Sequence, residues 1–162
     1  MDGKEIVVGL NGSGGAALAL RWAVQEARLR SASLRIVHAW QIRTQEFAVG
    51  AEFATMSELA AFEQATGWIT AALGTTGAPG VLDIVEGPAG PVLVARSHQA
   101  ALLVVGTQGH SGLRRVVAGS ISHYCISHAA CPVVAVPGPA SGHRHLPGAR
   151  ASASVAIPGP LL

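Results

Sequence analysis

The feature that most constrains this chain is its alternation of short apolar runs with longer helical segments. Residues 5–9, 101–105 and 132–136 are short, almost wholly apolar and contain β-branched side chains. Such runs are typical of parallel strands that are buried on both faces. Between them, apolar residues recur at helical spacing, as over residues 16–31. The alternation predicts an α/β fold, a single open, doubly wound, five-stranded parallel sheet with helices on both faces.

The remaining elements divide the chain into one domain and a tail. Strands are predicted at 34–40 and 81–85, and helices at about 59–73, 88–98 and 119–128, with Pro88 as a first helical residue. The stretch 41–53 is ambiguous and is interpreted as a long loop. We therefore predict an α/β domain over residues 1–137. Residues 138–162, rich in Pro, Gly and Ala, are predicted to be a flexible tail.

Charge and composition argue against several functional classes. The formal net charge is +2 and aromatic residues make up 4% of the chain, while the surplus basic residues, Arg144 and Arg150, lie in the tail. A nucleic-acid binder usually carries a basic stripe with aromatic residues, so we expect no nucleic-acid partner. There is no apolar run of about 18 residues, so we expect no membrane partner. The absence of a signal sequence and the presence of only two cysteines favour the cytoplasm.

Glycine-rich loops follow the first and fourth predicted strands, at residues 9–15 and 106–112. Ligands of open parallel sheets bind beyond the carboxyl ends of the strands, so the two loops would line one crevice if these strands are neighbours. Gly106 and Gly109 allow the backbone to approach a ligand closely. A helix start at Gly119 and Ser120 would offer unpaired N–H groups to an anion, which predicts a phosphate site. Alternatively, the glycines only form turns and Ser120 only caps the helix.

Two other nucleotide motifs fit less well. No Gly-x-x-x-x-Gly-Lys-[Ser/Thr] sequence is present, which excludes a Walker-type loop. Residues 12–17 do match the dinucleotide fingerprint Gly-x-Gly-x-x-Ala. That fingerprint requires an acidic residue after the second strand, where this chain has Ala39, Trp40 and Gln41. The sequence therefore argues against a dinucleotide redox cofactor.

The spacing Gly106-x-x-Gly109, nine residues, Gly119-Ser120 resembles the ATP-binding motif of the universal stress protein family. Residues 6–13 (Ile-Val-Val-Gly-Leu-Asn-Gly-Ser) are similar to the first strand and loop of that family, and the resemblance extends in order over residues 3–137. It implies the strand order 3-2-1-4-5, and a stress-response or signalling protein that binds ATP or a related adenine nucleotide with weak or no hydrolysis.

The resemblance also implies which residues bind the nucleotide. Gly106, Gly109, Gly119 and Ser120 would hold phosphate and ribose, and the loop after the first strand would lie near the adenosine. The candidate cofactor-binding residues are Gly9, Asn11, Gly12, Ser13, Ala39, Trp40, Gly106, Thr107, Gly109, His110, Gly119, Ser120 and Ile121.

Two residues depart from the pattern of the family. Asn11 stands where the family usually has aspartate, and Gln108 where arginine is common. The changes remove a charge that a cation would favour and a charge-assisted phosphate contact. We therefore expect Mg²⁺ to reach the site only through the phosphates, if at all, and we assign no protein metal ligands.

Other side chains suggest weaker roles. His110 lies within the phosphate loop, where it faces either a phosphate or solvent. Trp40 either flanks an adenine or caps the core. The cluster from His123 to Cys131 lacks regular zinc spacing, and no catalytic arrangement is recognisable, so we predict neither a structural metal site nor an active site.

The fifth predicted strand begins at Pro132, ends at Val136 and carries no charge. At a sheet edge it would pair with its own copy across a two-fold axis, and the family resemblance also implies a homodimer. Alternatively, the tail folds back over this edge. Two other functions stay open: a dimeric interaction module that does not use nucleotide, and an enzyme that uses AMP chemistry.

Overall fold

The computed structural model describes residues 4–41, 58–74, 79–107 and 119–138. Strands and helices alternate along these ranges, as the sequence predicts. The predicted loop at 41–53, apart from Gln41, and the predicted tail, apart from Gly138, lie outside the described residues. The elements are β1 (Glu5–Gly9), α1 (Gly14–Arg30), β2 (Ser33–Trp40), α2 (Glu58–Leu73), β3 (Val81–Glu86), α3 (Ala89–Arg96), β4 (Leu102–Gly106), α4 (Ser120–His128) and β5 (Val133–Val136).

The five strands form one parallel sheet in the order β3-β2-β1-β4-β5. This confirms the predicted fold class and the strand order. The central strand, β1, pairs with β2 on one side and β4 on the other, with Ile6 opposite both Leu34 and Leu102. Ile6, Val7 and Val8 are fully buried, since helices cover both faces of the sheet there.

Helices α1 and α2 pack on one face, and α3 and α4 pack on the other. Successive strand residues point to opposite faces, so Val8 and Ile36 meet α1 and α2, whereas Val7 and Val37 meet α3 and α4. None of the helices within the described residues is long and apolar enough to cross a bilayer. The predicted apolar stripe of α1 is buried as a whole: Ala16, Leu20, Ala23, Val24 and Ala27.

Two helix starts differ from the prediction because of their caps. Helix α1 begins two residues early, at Gly14, because the Ser13 hydroxyl accepts a hydrogen bond from the Ala16 N–H at 3.2 Å and caps the helix. Pro88 was predicted as the first helical residue of α3, but its ψ of 132° is extended and makes it the N-cap. The helix therefore starts at Ala89 and ends at Arg96, before the predicted end at 98.

Candidate functional site

The carboxyl ends of β1 and β4 open into a cleft of about 130 Å³ on the α3 and α4 side of the sheet. Because β1 and β4 are hydrogen-bonded neighbours, the loops that follow them begin side by side. The shared crevice predicted from the sequence depends on these two strands being neighbours. The described lining residues are Gly9, Leu10, Asn11, Ser13, Ala16, Val37, Ala39, Ala89, Leu93, Val105, Gly106, Gly119, Ser120, Ile121 and Ser122.

The loop after β1 is stabilised by its own side chains. Asn11 Oδ1 accepts hydrogen bonds from the Ser13 N–H at 3.1 Å and from the Ser13 hydroxyl at 2.7 Å. The same hydroxyl oxygen accepts from the Ala16 N–H, as described above. The Ser13 N–H and hydroxyl therefore stabilise the loop, and the hydroxyl oxygen also caps α1. The carboxamide nitrogen is the end of the Asn11 side chain directed away from Ser13 and able to donate to a ligand.

Helix α4 starts differently, with an open end. Its N-cap is Gly119, which has no side chain to bond the first turn. The Gly119 N–H donates to the Thr107 carbonyl at 2.8 Å, which joins the helix start to the end of β4. The backbone N–H groups of Ser120, Ile121 and Ser122 have no acceptor among the described residues. These three amides and the positive end of the helix dipole point to one place where an anion would be stabilised.

This geometry settles the alternative role of Ser120. Ser120 is the first helical residue of α4 and Gly119 is the cap, so Ser120 does not cap the helix. The Ser122 hydroxyl is already engaged, because it donates to the Gly119 carbonyl at 2.9 Å. Among the described residues, the backbone thus supplies more donors at this end of the cleft than the hydroxyl groups do.

Gly106 determines how closely α1 approaches β4. A Cβ atom at Gly106 would lie 2.5 Å from the Gly15 carbonyl carbon, 2.7 Å from its oxygen and 2.9 Å from the Ala16 nitrogen. These contacts are with backbone, which cannot move aside cheaply. Gly106 is therefore required for packing in addition to its place on the cleft wall.

The described cleft wall is electrically neutral. None of its described residues carries a formal charge, and Asn11 supplies an amide in place of a carboxylate. Within the described ranges, no three His, Cys, Asp or Glu side chains lie close enough together to hold a metal ion.

In the cluster from His123 to Cys131, burial raises the pKa of the Cys125 thiol to about 11, so this sulfur stays protonated.

Eight of the thirteen candidate residues line the cleft, and three others lie elsewhere. Gly12 has φ +75° and faces α2, where a Cβ atom would come within 2.3 Å of the Trp68 ring. Trp40 follows Ala39 in β2, so their side chains point to opposite faces, and only Ala39 lines the cleft. This corrects the interpretation of Trp40 as a neighbour of adenine. Thr107 acts through its backbone, where its N–H donates to the Val136 carbonyl at 2.9 Å.

Gly109, His110 and Gln108 lie outside the described residues. The lining residues that the sequence analysis missed are mostly apolar. Val37 could have been found, because it precedes Ala39 by two residues and shares its face of the sheet. Ala89 and Leu93 belong to α3, and no local motif indicates that they reach the cleft. Also missed were Leu10, Ala16 and Val105, whereas Ser122 lines the cleft from the first turn of α4, beside Ser120.

Comparisons with known proteins agree with this architecture. A family model described as the universal stress protein family matches residues 3–137. A universal stress protein of Mycolicibacterium smegmatis is 32% identical over 140 residues, covering 82% of this chain and 48% of that protein. The chain thus spans about half the length of the curated relatives that it matches.

Solved structures show the same fold. A universal stress protein in complex with cAMP is 24% identical with a TM-score of 0.59, covering 86% of this chain and 100% of that one. The universal stress protein of Archaeoglobus fulgidus in complex with dAMP is 23% identical with a TM-score of 0.58, covering 84% of this chain and 99% of that one.

Proposed function

Because this chain belongs to the universal stress protein family, we propose that its cleft binds an adenine nucleotide, with ATP as the ligand in the cell. The observation that carries the proposal is the open start of α4, where the amides of Ser120, Ile121 and Ser122 face the cleft without an acceptor among the described residues. Phosphate groups favour such helix starts. The structures with cAMP and dAMP support the class of ligand.

The cleft wall fits the two ends of such a ligand. Val37, Ala39 and Leu93 offer an apolar surface to a base and ribose, whereas the start of α4 offers donors to phosphate. Mg²⁺ would enter only with the phosphates, since the described wall has no carboxylate to hold it. The described wall also has no carboxylate or imidazole to act as a general base, so the proposal includes weak or no hydrolysis. The role that follows is nucleotide-dependent signalling in a stress response in the cytoplasm.

Titration of the nucleotide-stripped protein tests this function. We expect isothermal calorimetry to detect ATP and AMP with dissociation constants below about 1 mM, which corresponds to about −4 kcal/mol of binding free energy. Parallel titrations with Mg²⁺ and with EDTA determine whether the metal contributes. If neither nucleotide binds at millimolar concentration, the proposal is wrong, and the nucleotide-independent interaction module becomes the better hypothesis.

We also propose that β5 forms the interface of a homodimer. The strand is at the edge of the sheet, pairs with β4 within the described residues, and its four residues are only partly buried. The carbonyl groups of Pro132 and Val136 accept hydrogen bonds from the Leu103 and Thr107 N–H groups of the β4 side. Alternate residues of a strand direct their peptide groups to opposite sides, so those of Val133 and Ala135 face the free edge.

This register provides a selective test of the dimer. We expect light scattering to give about twice the chain mass of 16.4 kDa. The substitution Ala135→Pro removes an outward N–H but none of the hydrogen bonds to β4, and we expect it to give a folded monomer. The matched change Ala135→Val keeps the N–H and should stay dimeric. A monomeric wild-type protein would contradict the proposed interface.

A further inference from the structure

His38 is a buried titratable residue that the proposed nucleotide site does not use directly. It lies on β2, is only 7% exposed, and its Nδ1 is 3.0 Å from the Leu10 carbonyl oxygen. That oxygen can only accept, so Nδ1 carries the hydrogen and the neutral ring leaves Nε2 unprotonated. Nε2 is fully buried and has no hydrogen-bond partner in the described part of the chain.

His38 and Trp68 hold the loop after β1 from the side opposite the cleft. The two rings meet edge to face, with centroids 5.1 Å apart. His38 bonds Leu10, and the Trp68 indole lies so close to Gly12 that no Cβ atom would fit between them. Leu10 lines the cleft, as does Asn11 after it. The position of the loop therefore depends on a pair of rings behind it.

The surroundings of His38 favour the neutral ring. On the elements around it, Arg21 belongs to α1, Glu58 and Glu63 to α2, and Glu86 to β3. None of these charges is among the causes that shift the pKa of His38, which burial lowers from 6.5 and the bond to Leu10 partly restores. On the opposite face of the sheet, Arg35 forms ion pairs with both Glu5 and Asp83.

We propose that protonation of His38 displaces the Leu10–Ser13 loop and thereby weakens nucleotide binding, a coupling that rests on the proposed function. A proton on Nε2 creates a buried N–H donor with no acceptor among the described residues, on a ring that already donates through Nδ1 to Leu10. The cost of a buried unsatisfied donor favours a rearrangement in which Nε2 reaches water. Such a rearrangement moves the ring away from Leu10 and Trp68, and the loop loses its support.

The direction of the pH effect follows from the lowered pKa. The folded protein binds this proton less readily than the unfolded chain. The neutral, buried His38 therefore contributes its full stabilisation of the folded state above pH 6.5, and this contribution is lost as the pH falls below that value. The nucleotide would bind the form with the ordered loop. Its apparent dissociation constant should therefore rise in acid, in proportion to the fraction of protein in which His38 is protonated.

The loop movement can be tested without any nucleotide. Amide NMR spectra of the wild-type protein between about pH 7.5 and 5.0 should show Gly12 and Ser13 shifting together, with a midpoint below 6.5. In His38→Asn the amide nitrogen can still donate to Leu10 but cannot titrate, so these shifts should vanish. His38→Gln is a second non-titrating variant if His38→Asn does not fold. Loop amides that stay constant in the wild type would overturn the proposal.

The coupling to the ligand is measured separately, with cAMP as the probe. Its phosphodiester does not titrate in this range, unlike a phosphomonoester with a pKa near 6. We expect the dissociation constant of the wild type to be higher at about pH 5.0 than at about pH 7.5, and that of His38→Asn to be the same at both. Binding that is equal at both pH values overturns the coupling but leaves the proposed function intact. If cAMP alone fails to bind, the same comparison is made with AMP, whose own titration is common to the wild type and His38→Asn. If ATP and AMP also fail to bind at every pH, the proposed function is wrong and the coupling with it, whereas the amide shifts still decide whether His38 moves the loop.

Discussion

Replacing Gly106 with alanine is expected to lower the free energy of unfolding by about 2–3 kcal/mol, because the new methyl group overlaps backbone atoms in a packed interior. The nearest are the Gly15 carbonyl carbon at 2.5 Å and oxygen at 2.7 Å. Side chains could rotate away from a methyl group, but these atoms belong to the first turn of α1. Relief therefore requires α1 to move away from β4, and that movement exposes Ala16 and Val104.

Gly14, the neighbour of Gly15 in α1, provides the control for this substitution. Gly14 is the first residue of α1, and a Cβ atom there meets nothing within 4 Å. We expect Gly14→Ala to leave stability unchanged or to raise it by up to about 1 kcal/mol, since alanine restricts the unfolded chain more than glycine does. Urea denaturation of both variants measures the difference. Equal stability of Gly106→Ala and wild type would show that α1 tolerates displacement and that Gly106 has no packing role.

The sheet could be predicted well from the sequence because its strands are short apolar runs between strong breaks. Strand β1 has the predicted bounds, and β4 and β5 begin within one residue of prediction. Helix starts were harder to predict, since they depend on which side chain caps them. Ser13 hydrogen-bonds the first turn of α1, while Pro88 flanks α3 without a side-chain bond, and sequence pattern alone does not distinguish the two.

The candidate site was predictable only in part, because the place of a loop residue in the sequence does not determine which face of the sheet the residue is turned to. Gly9 and Gly12 belong to one glycine-rich run, yet the first lines the cleft and the second faces Trp68 across the sheet. The alternation along β2 separates Ala39 from Trp40 in the same way. His38 gave a faint signal, as a polar residue within an otherwise apolar strand end, but its bond to Leu10 joins residues 28 positions apart. No local pattern contains such a contact.

The substitution Gly119→Asp should separate binding from folding. Gly119 has φ −62° and ψ 160°, an extended conformation that any residue adopts. Aspartate is among the best N-cap residues, and its carboxylate would accept hydrogen bonds from the first-turn amides of α4. The same amides would then be closed to a phosphate, and the new negative charge would repel it. We expect nucleotide affinity to fall about 10- to 100-fold, as for the loss of hydrogen bonds to a charged group.

Two further substitutions at the same position isolate the cause. Gly119→Ala adds only the Cβ atom, which lies 3.1 Å from the Thr107 carbonyl oxygen, and leaves the amides open, so we expect most of the affinity to remain. In Gly119→Asn the side chain can still accept hydrogen bonds from the amides but carries no charge. Its affinity for the nucleotide should therefore lie between those of Gly119→Ala and Gly119→Asp. Calorimetric titration with AMP ranks the three, and urea denaturation should place Gly119→Asp within about 1 kcal/mol of wild type. If Gly119→Asp and Gly119→Ala bind AMP with equal affinity, the open start of α4 is not the phosphate site. A phosphate bound there would be held less tightly once the aspartate side chain occupied the amides.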